Sequence, residues 1–122
     1  MTSLHGDVLT PTGLIRGRID VDASSGRIAA ISGEAISEAA ARADPQALLI
    51  PGFVDLHVHG GGGADIMDGD EAAQTVAATH LRSGTTTLLA TTMTAPLTDL
   101  EQAFAGIARV SRRQNTVAAF IA

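Results

Sequence analysis

Two histidines separated by one residue, His57 and His59, have the types and spacing best suited to chemistry in this sequence. The residues around them are apolar and β-prone, and in a strand residues two apart point to the same face. Both imidazoles are therefore expected to leave one side of a strand, at its C-terminal end, where they can converge on one cation. Neutral imidazole is a common ligand of divalent transition metals. The residue types alone leave open the alternative of a pair of hydrogen-bonded core histidines, and the placement at a strand end before four glycines favours a metal site.

Other polar residues near this pair are less strongly indicated as metal-site residues. Asp55 is predicted on the same strand face as the two histidines. Its carboxylate either orients an imidazole or, as we favour, has its charge satisfied by neighbouring backbone and threonine hydroxyls. His80 lies on the apolar stripe of a predicted helix, so we expect an interior or boundary residue with one hydrogen bond rather than a ligand. The threonines at 85–87 and 91–92 are typical of a β-strand and are interpreted as such.

Four consecutive glycines at 60–63 follow the histidines. The run lacks the lysine of a P-loop and does not fit the spacing of a dinucleotide-binding fingerprint. Glycine allows the backbone to approach a ligand closely or to adopt a positive φ. The run is therefore not interpreted as a nucleotide site.

The segments that must position the pair alternate in type. Residues 48–59 predict a strand, residues 85–94 a second and residues 116–122 a third. A helix is predicted from Asp68, with Glu71 completing a capping box, and Gly84 is its expected C-terminal cap. Its predicted apolar stripe is Ala73, Val76, Ala77, His80 and Leu81.

A second helix is predicted from Thr98, with Glu101 as its capping-box partner. Its predicted apolar stripe is Leu100, Ala103, Phe104, Ile107 and Ala108. Strands that alternate with helices in this way are joined as parallel strands by right-handed crossovers.

The first 50 residues have a different pattern. Turn-forming residues recur at short intervals, and the segments 14–21 and 27–31 between them predict two or three short antiparallel strands. Residues 34–45 are rich in alanine and acidic side chains and predict a connector or a frayed helical turn. Two partial domains follow, residues 1–50 and residues 51–122.

Composition excludes several functional classes. Among 122 residues, 8 are basic and 13 acidic, giving a net charge of −5, and 2% are aromatic. A nucleic-acid or anionic-membrane surface would need clustered basic residues. The absence of cysteine removes disulfides, thiolate zinc sites and cysteine nucleophiles. No signal peptide or long apolar run is visible, so a cytoplasmic protein is expected.

Residues 49–59 resemble the first barrel strand of the amidohydrolase superfamily. The continuation through residues 59–65 and 83–92 is similar to the N-acetylglucosamine-6-phosphate deacetylases within it. The resemblance covers residues 47–122, and the first 46 match only in character. It implies an α/β fold, the N-terminal part of a (β/α)8 TIM barrel preceded by strands of a small β-sandwich.

The resemblance also implies a reaction. These enzymes hydrolyse the acetamide of N-acetylglucosamine 6-phosphate to glucosamine 6-phosphate and acetate, using one or two divalent metal ions, usually zinc or iron. His57 and His59 match the metal pair of the first strand. The other ligands, the general acid/base and the phosphate-binding residues are expected beyond Ala122, so no catalytic residue is assigned. A homodimer is implied for the full-length protein.

Two alternatives remain open at this point. The first is another metal hydrolase of the superfamily, such as an isoaspartyl dipeptidase, whose first strand is also followed by glycines. The second is a truncated α/β module without catalytic activity. A complete barrel of eight βα units needs about 250 residues. The 122-residue chain is therefore expected to be an N-terminal portion, inactive by itself.

Overall fold

The computed structural model describes residues 1–113 and 120–121, and of the last two only the backbone. The chain divides into two compact units, Met1–Pro51 and Gly52–Ala122. Within the described residues, no helix combines the length and the apolar character needed to cross a membrane.

The first unit is a four-stranded sheet. Strands β1 (Thr2–Thr10), β2 (Gly13–Asp22) and β3 (Arg27–Ile36) are antiparallel, as predicted, and a one-turn helix α1 (Glu38–Ala43) follows. The short strand β4 (Leu48–Leu49) pairs in parallel with β1. The predicted connector at 34–45 was wrong at its start, because residues 34–36 pair with β2 and extend β3.

The second unit begins with strand β5 (Phe53–Val58). A glycine-rich hairpin of β6 (Gly60–Gly61) and β7 (Ala64–Asp65) leads through a 3-10 turn at Ile66–Asp68 to helix α2 (Asp70–Arg82). The remaining elements are strand β8 (Thr85–Ala90), helix α3 (Leu97–Arg112) and strand β9 (Phe120–Ile121).

Strands β5, β8 and β9 form a parallel sheet in that order. The predicted alternation of parallel strands with helices is thus confirmed. Of the third strand predicted at 116–122, residues 120–121 are β9 and the others lie outside the described residues.

The core of this unit lies between the sheet and the two helices. Helix α2 buries most of its predicted stripe, with Ala73, Val76 and Ala77 fully buried and His80 and Leu81 half-buried. The stripe predicted for α3 was partly wrong, since Phe104 is 54% exposed. The buried face of α3 instead consists of Ala103, Gly106, Ile107 and Val110. Residues from the sheet and the 3-10 turn complete the core: Val58, Ile66 and Leu88.

Both predicted capping boxes were wrong. Asp68 lies inside the 3-10 turn, which Asp65 caps by accepting a hydrogen bond from the Met67 N–H at 2.8 Å, and α2 begins two residues later. Helix α3 begins after Pro96 without a side-chain cap. Gly84 does end α2 as predicted, at a φ of 91°, which other residues rarely adopt.

The single strand predicted at 48–59 is divided into β4 and β5. Its first residues pair with β1, whereas Phe53–Val58 pairs with β8. On the face of β5 opposite the histidines, Val54 and Leu56 are 61% and 70% exposed and only Val58 is buried. Towards the sheet, α2 packs mainly on β8 and on the β6–β7 hairpin, and of β5 only Val58 belongs to the core that includes α2.

Candidate metal centre

The two histidines meet at the C-terminal end of β5. His57 is the penultimate residue of the strand and His59 follows its end. Their Nε2 atoms are 2.9 Å apart, with ring centroids separated by 4.6 Å and ring planes at 86°. The imidazoles therefore project to the same side, as the i, i+2 spacing requires.

Thr91 fixes the orientation of the His59 ring. His59 Nδ1 lies 2.9 Å from the Thr91 carbonyl oxygen and 3.2 Å from the Thr91 hydroxyl. A carbonyl oxygen can only accept a hydrogen bond, so neutral His59 carries its proton on Nδ1. Its Nε2 then presents a lone pair toward His57, the arrangement typical of a metal-ligating histidine with a supporting partner.

Strand register brings Thr91 to this position. Val58 pairs with Ala90 in the parallel ladder, and the Thr91 N–H continues it by donating to the Val58 carbonyl at 2.9 Å. Thr91 is thus the first residue after β8, beside the residue that follows β5. The interpretation of Thr91 as an ordinary strand residue was wrong. The sequence feature that could have indicated the contact with His59 is the position of Thr91 at the C-terminal end of the neighbouring parallel strand.

The Asp55 side chain binds the backbone of its own strand. Its carboxylate accepts a hydrogen bond from the His57 backbone N–H at 3.1 Å. This contact agrees with the favoured interpretation, in which the charge is satisfied by neighbouring backbone rather than by an imidazole.

The glycines after His59 form a tight hairpin. Gly62 and Gly63 are its two central residues and have φ values of 64° and 80°, as a type I′ turn requires. The hairpin returns the chain so that the Ile66 N–H donates to the His59 carbonyl at 2.8 Å. Positive φ, one of the two roles considered for the glycine run, is thus found at these two residues.

His80 contacts the hairpin from α2. The residue is half-buried, and its Nε2 lies 3.1 Å from the Gly60 carbonyl oxygen. This agrees with the prediction of a boundary residue with one hydrogen bond.

The donor set suits part of a divalent metal site. Two imidazole nitrogens bound at about 2.0–2.1 Å to one tetrahedral ion lie roughly 3.3 Å apart. The observed separation of 2.9 Å therefore needs only a small opening of the pair. No group of three or more His, Cys, Asp or Glu side chains able to hold a metal occurs in the part of the chain that the structure describes. His57 and His59 thus fit as two ligands of an incomplete set.

A sequence model of the amidohydrolase family matches residues 48–115, which include both histidines. The chain belongs to the amidohydrolase family. This amidohydrolase chain is 36% identical over 87 residues to N-acetylglucosamine-6-phosphate deacetylase of Bacillus subtilis, covering 68% of this chain and 22% of that protein. It is 40% identical over 67 residues to N-acetylgalactosamine-6-phosphate deacetylase of Escherichia coli O157:H7, covering 54% of this chain and 18% of that protein.

A solved structure extends the similarity across the chain. The crystal structure of N-acetyl-D-glucosamine-6-phosphate deacetylase from Mycobacterium smegmatis aligns with a TM-score of 0.73 and 30% identity. The alignment covers 99% of this amidohydrolase and 34% of that chain. The sequence therefore has the α/β architecture of part of that enzyme, and it spans about a fifth of the length of the curated relatives above.

Proposed function

We propose that the complete protein is a metal-dependent amide hydrolase that deacetylates N-acetylglucosamine 6-phosphate to glucosamine 6-phosphate and acetate. The observation that carries the proposal is the convergence of the His57 and His59 Nε2 atoms at 2.9 Å. Membership of the amidohydrolase family and the similarity to sugar-phosphate deacetylases support this choice of reaction.

In this proposal, His57 and His59 hold a divalent metal ion, zinc or iron. A bound ion would activate water and polarise the acetamide carbonyl. The protein's contribution in these residues is orientation. Thr91 holds the His59 proton on Nδ1, so that Nε2 stays available, and Asp55 fixes the backbone of His57.

The same proposal includes the architecture of the whole protein. We propose that β5 and β8 are the first two strands of a (β/α)8 barrel, and that the first 50 residues belong to a small β-sandwich. Two features support the barrel. The strands β5, β8 and β9 form one parallel sheet. The histidines lie at the C-terminal end of β5, the end at which barrel enzymes hold their catalytic groups.

A second substrate is favoured by one relative. The Escherichia coli protein is named for N-acetylgalactosamine 6-phosphate, which differs from the glucosamine compound in the configuration of one hydroxyl. The two compounds share an acetamide on a hexose 6-phosphate, so the proposed chemistry is the same for both.

A substrate panel tests the proposed reaction. The complete protein, supplied with Zn²⁺ or Fe²⁺, is incubated with the two N-acetylhexosamine 6-phosphates, unphosphorylated N-acetylglucosamine and a β-aspartyl dipeptide, and free amine and acetate are measured. We expect release of equal amounts of acetate and glucosamine 6-phosphate. Faster turnover of the galactosamine compound would favour the second substrate. Turnover of the dipeptide alone, or of nothing, would contradict deacetylation.

A further inference from the structure

His80 holds the Gly60–Gly61 peptide group, one residue beyond His59. Its Nε2 lies 3.1 Å from the Gly60 carbonyl oxygen, and because that oxygen can only accept, His80 donates the hydrogen bond. Gly60 is the residue immediately after His59, so the bond restrains the backbone from which the His59 side chain projects.

The hairpin lies too close to α2 for a side chain at Gly62 and leaves little room for one at Gly61. A Cβ added at Gly61 would lie 3.0 Å from His80 Nε2, and one added at Gly62 would lie 2.3 Å from Thr79 Oγ1. The hairpin backbone thus lies directly against the face of α2 that Thr79 and His80 form. The His80 side chain lies between α2 and the hairpin and donates the hydrogen bond to the Gly60 carbonyl.

We propose that His80 is a positioning residue for the metal ligand His59, an inference that rests on the proposed metal site. His59 is restrained at three points. Thr91 holds its ring, Ile66 donates to its carbonyl, and His80 donates to the next carbonyl along the chain. Loss of the His80 hydrogen bond frees the Gly60–Gly61 peptide group, loosens the backbone next to His59 and lets the imidazole leave its position opposite His57.

Metal affinity and the cobalt spectrum of the complete protein test this role. His80→Leu removes the donor, whereas His80→Gln retains an N–H donor of similar reach. Gln74→Leu, at an exposed position on the same helix, is the matched control. We expect His80→Leu to weaken Zn²⁺ and Co²⁺ binding, measured by chelator competition, by about tenfold, the low end for groups that orient ligands. We also expect a shift in its Co²⁺ absorption bands.

Recovery of metal affinity in His80→Gln distinguishes a positioning role of His80 from a role in packing alone. The role is supported if His80→Gln recovers most of the affinity and the wild-type cobalt bands, while Gln74→Leu changes neither. Equal losses in His80→Leu and His80→Gln would overturn it, as would wild-type affinity and spectrum in His80→Leu. If His80→Leu does not fold, His80→Asn replaces it, because its shorter amide cannot reach Gly60 and should bind metal more weakly than His80→Gln. Equal affinity in those two variants would also overturn the role.

The two proposals fail in different ways. If His57→Ala leaves metal affinity unchanged, the metal site itself is wrong. If His57→Ala abolishes binding while His80→Leu retains wild-type affinity and spectrum, only the positioning role is wrong.

Discussion

Replacing Gly62 with alanine should destabilise the hairpin after His59 more than the same change at Gly63. Both residues have positive φ, 64° and 80°, and an L-residue in this conformation costs about 1–2 kcal/mol. A Cβ at Gly63 meets nothing within 4 Å, so Gly63→Ala should cost that amount alone.

Gly62→Ala adds a steric cost. Its Cβ would lie 2.3 Å from Thr79 Oγ1, which donates to the Thr75 carbonyl at 2.8 Å. Moving the hydroxyl away breaks that hydrogen bond, at about 0.5–1.5 kcal/mol, and forces a less favourable rotamer at a similar cost. We therefore expect a total of about 2–5 kcal/mol, about 1–3 kcal/mol more than for Gly63→Ala.

Urea unfolding of the complete protein, followed by circular dichroism, measures this difference as a shift of midpoint at constant slope. In a Thr79→Ala background the offending oxygen is absent, so Gly62→Ala and Gly63→Ala should then cost about the same. Equal costs in the wild-type background, or an excess cost at Gly62 that survives Thr79→Ala, would refute the packing of the hairpin on α2.

Two further predictions concern helix α3. Ile107→Ala should lower the free energy of unfolding by about 2–5 kcal/mol because the residue is buried. Phe104→Ala should lower it by about 1 kcal/mol or less because the residue is exposed. Urea unfolding that gave the reverse order would contradict the buried face of α3. Asp70 accepts hydrogen bonds from Arg109 at 2.7 and 2.9 Å, and this contact holds the pKa of its carboxyl below the usual 3.8. A lowered folded-state pKa contributes stability that is present above the unfolded-state pKa and lost as pH falls through the folded-state value. Asp70→Asn should therefore flatten the dependence of the unfolding midpoint on pH between about pH 5 and 2, and an unchanged profile would contradict the pairing.

Local periodicity was enough to predict the elements that carry the site. The i, i+2 spacing of His57 and His59 determines that both rings leave one side of a strand. The helical spacing of Ala73, Val76 and Ala77 likewise predicts the buried face of α2. These features depend on neighbouring residues alone, and the structure has them where the sequence predicts them.

Features that depend on pairing between distant segments could not be predicted in this way. The partnership of Thr91 with His59 follows from the register of β8 against β5, which no local pattern specifies. The exposure of Phe104 depends on which face of α3 turns toward α2, where Gly106 lets the helix approach Gly69 closely. The capping box predicted at Asp68 failed because Asp65 caps a 3-10 turn in front of the helix.

The metal content of the complete protein tests the central claim most directly. Wild type, a His57→Ala/His59→Ala double variant and a His5→Ala control are purified in parallel, and bound metals are counted per chain by mass spectrometry. We predict at least one equivalent of a divalent transition metal in wild type and in His5→Ala, and at least one equivalent fewer in the double variant. Equal metal content in all three proteins would contradict the assignment of His57 and His59 as ligands.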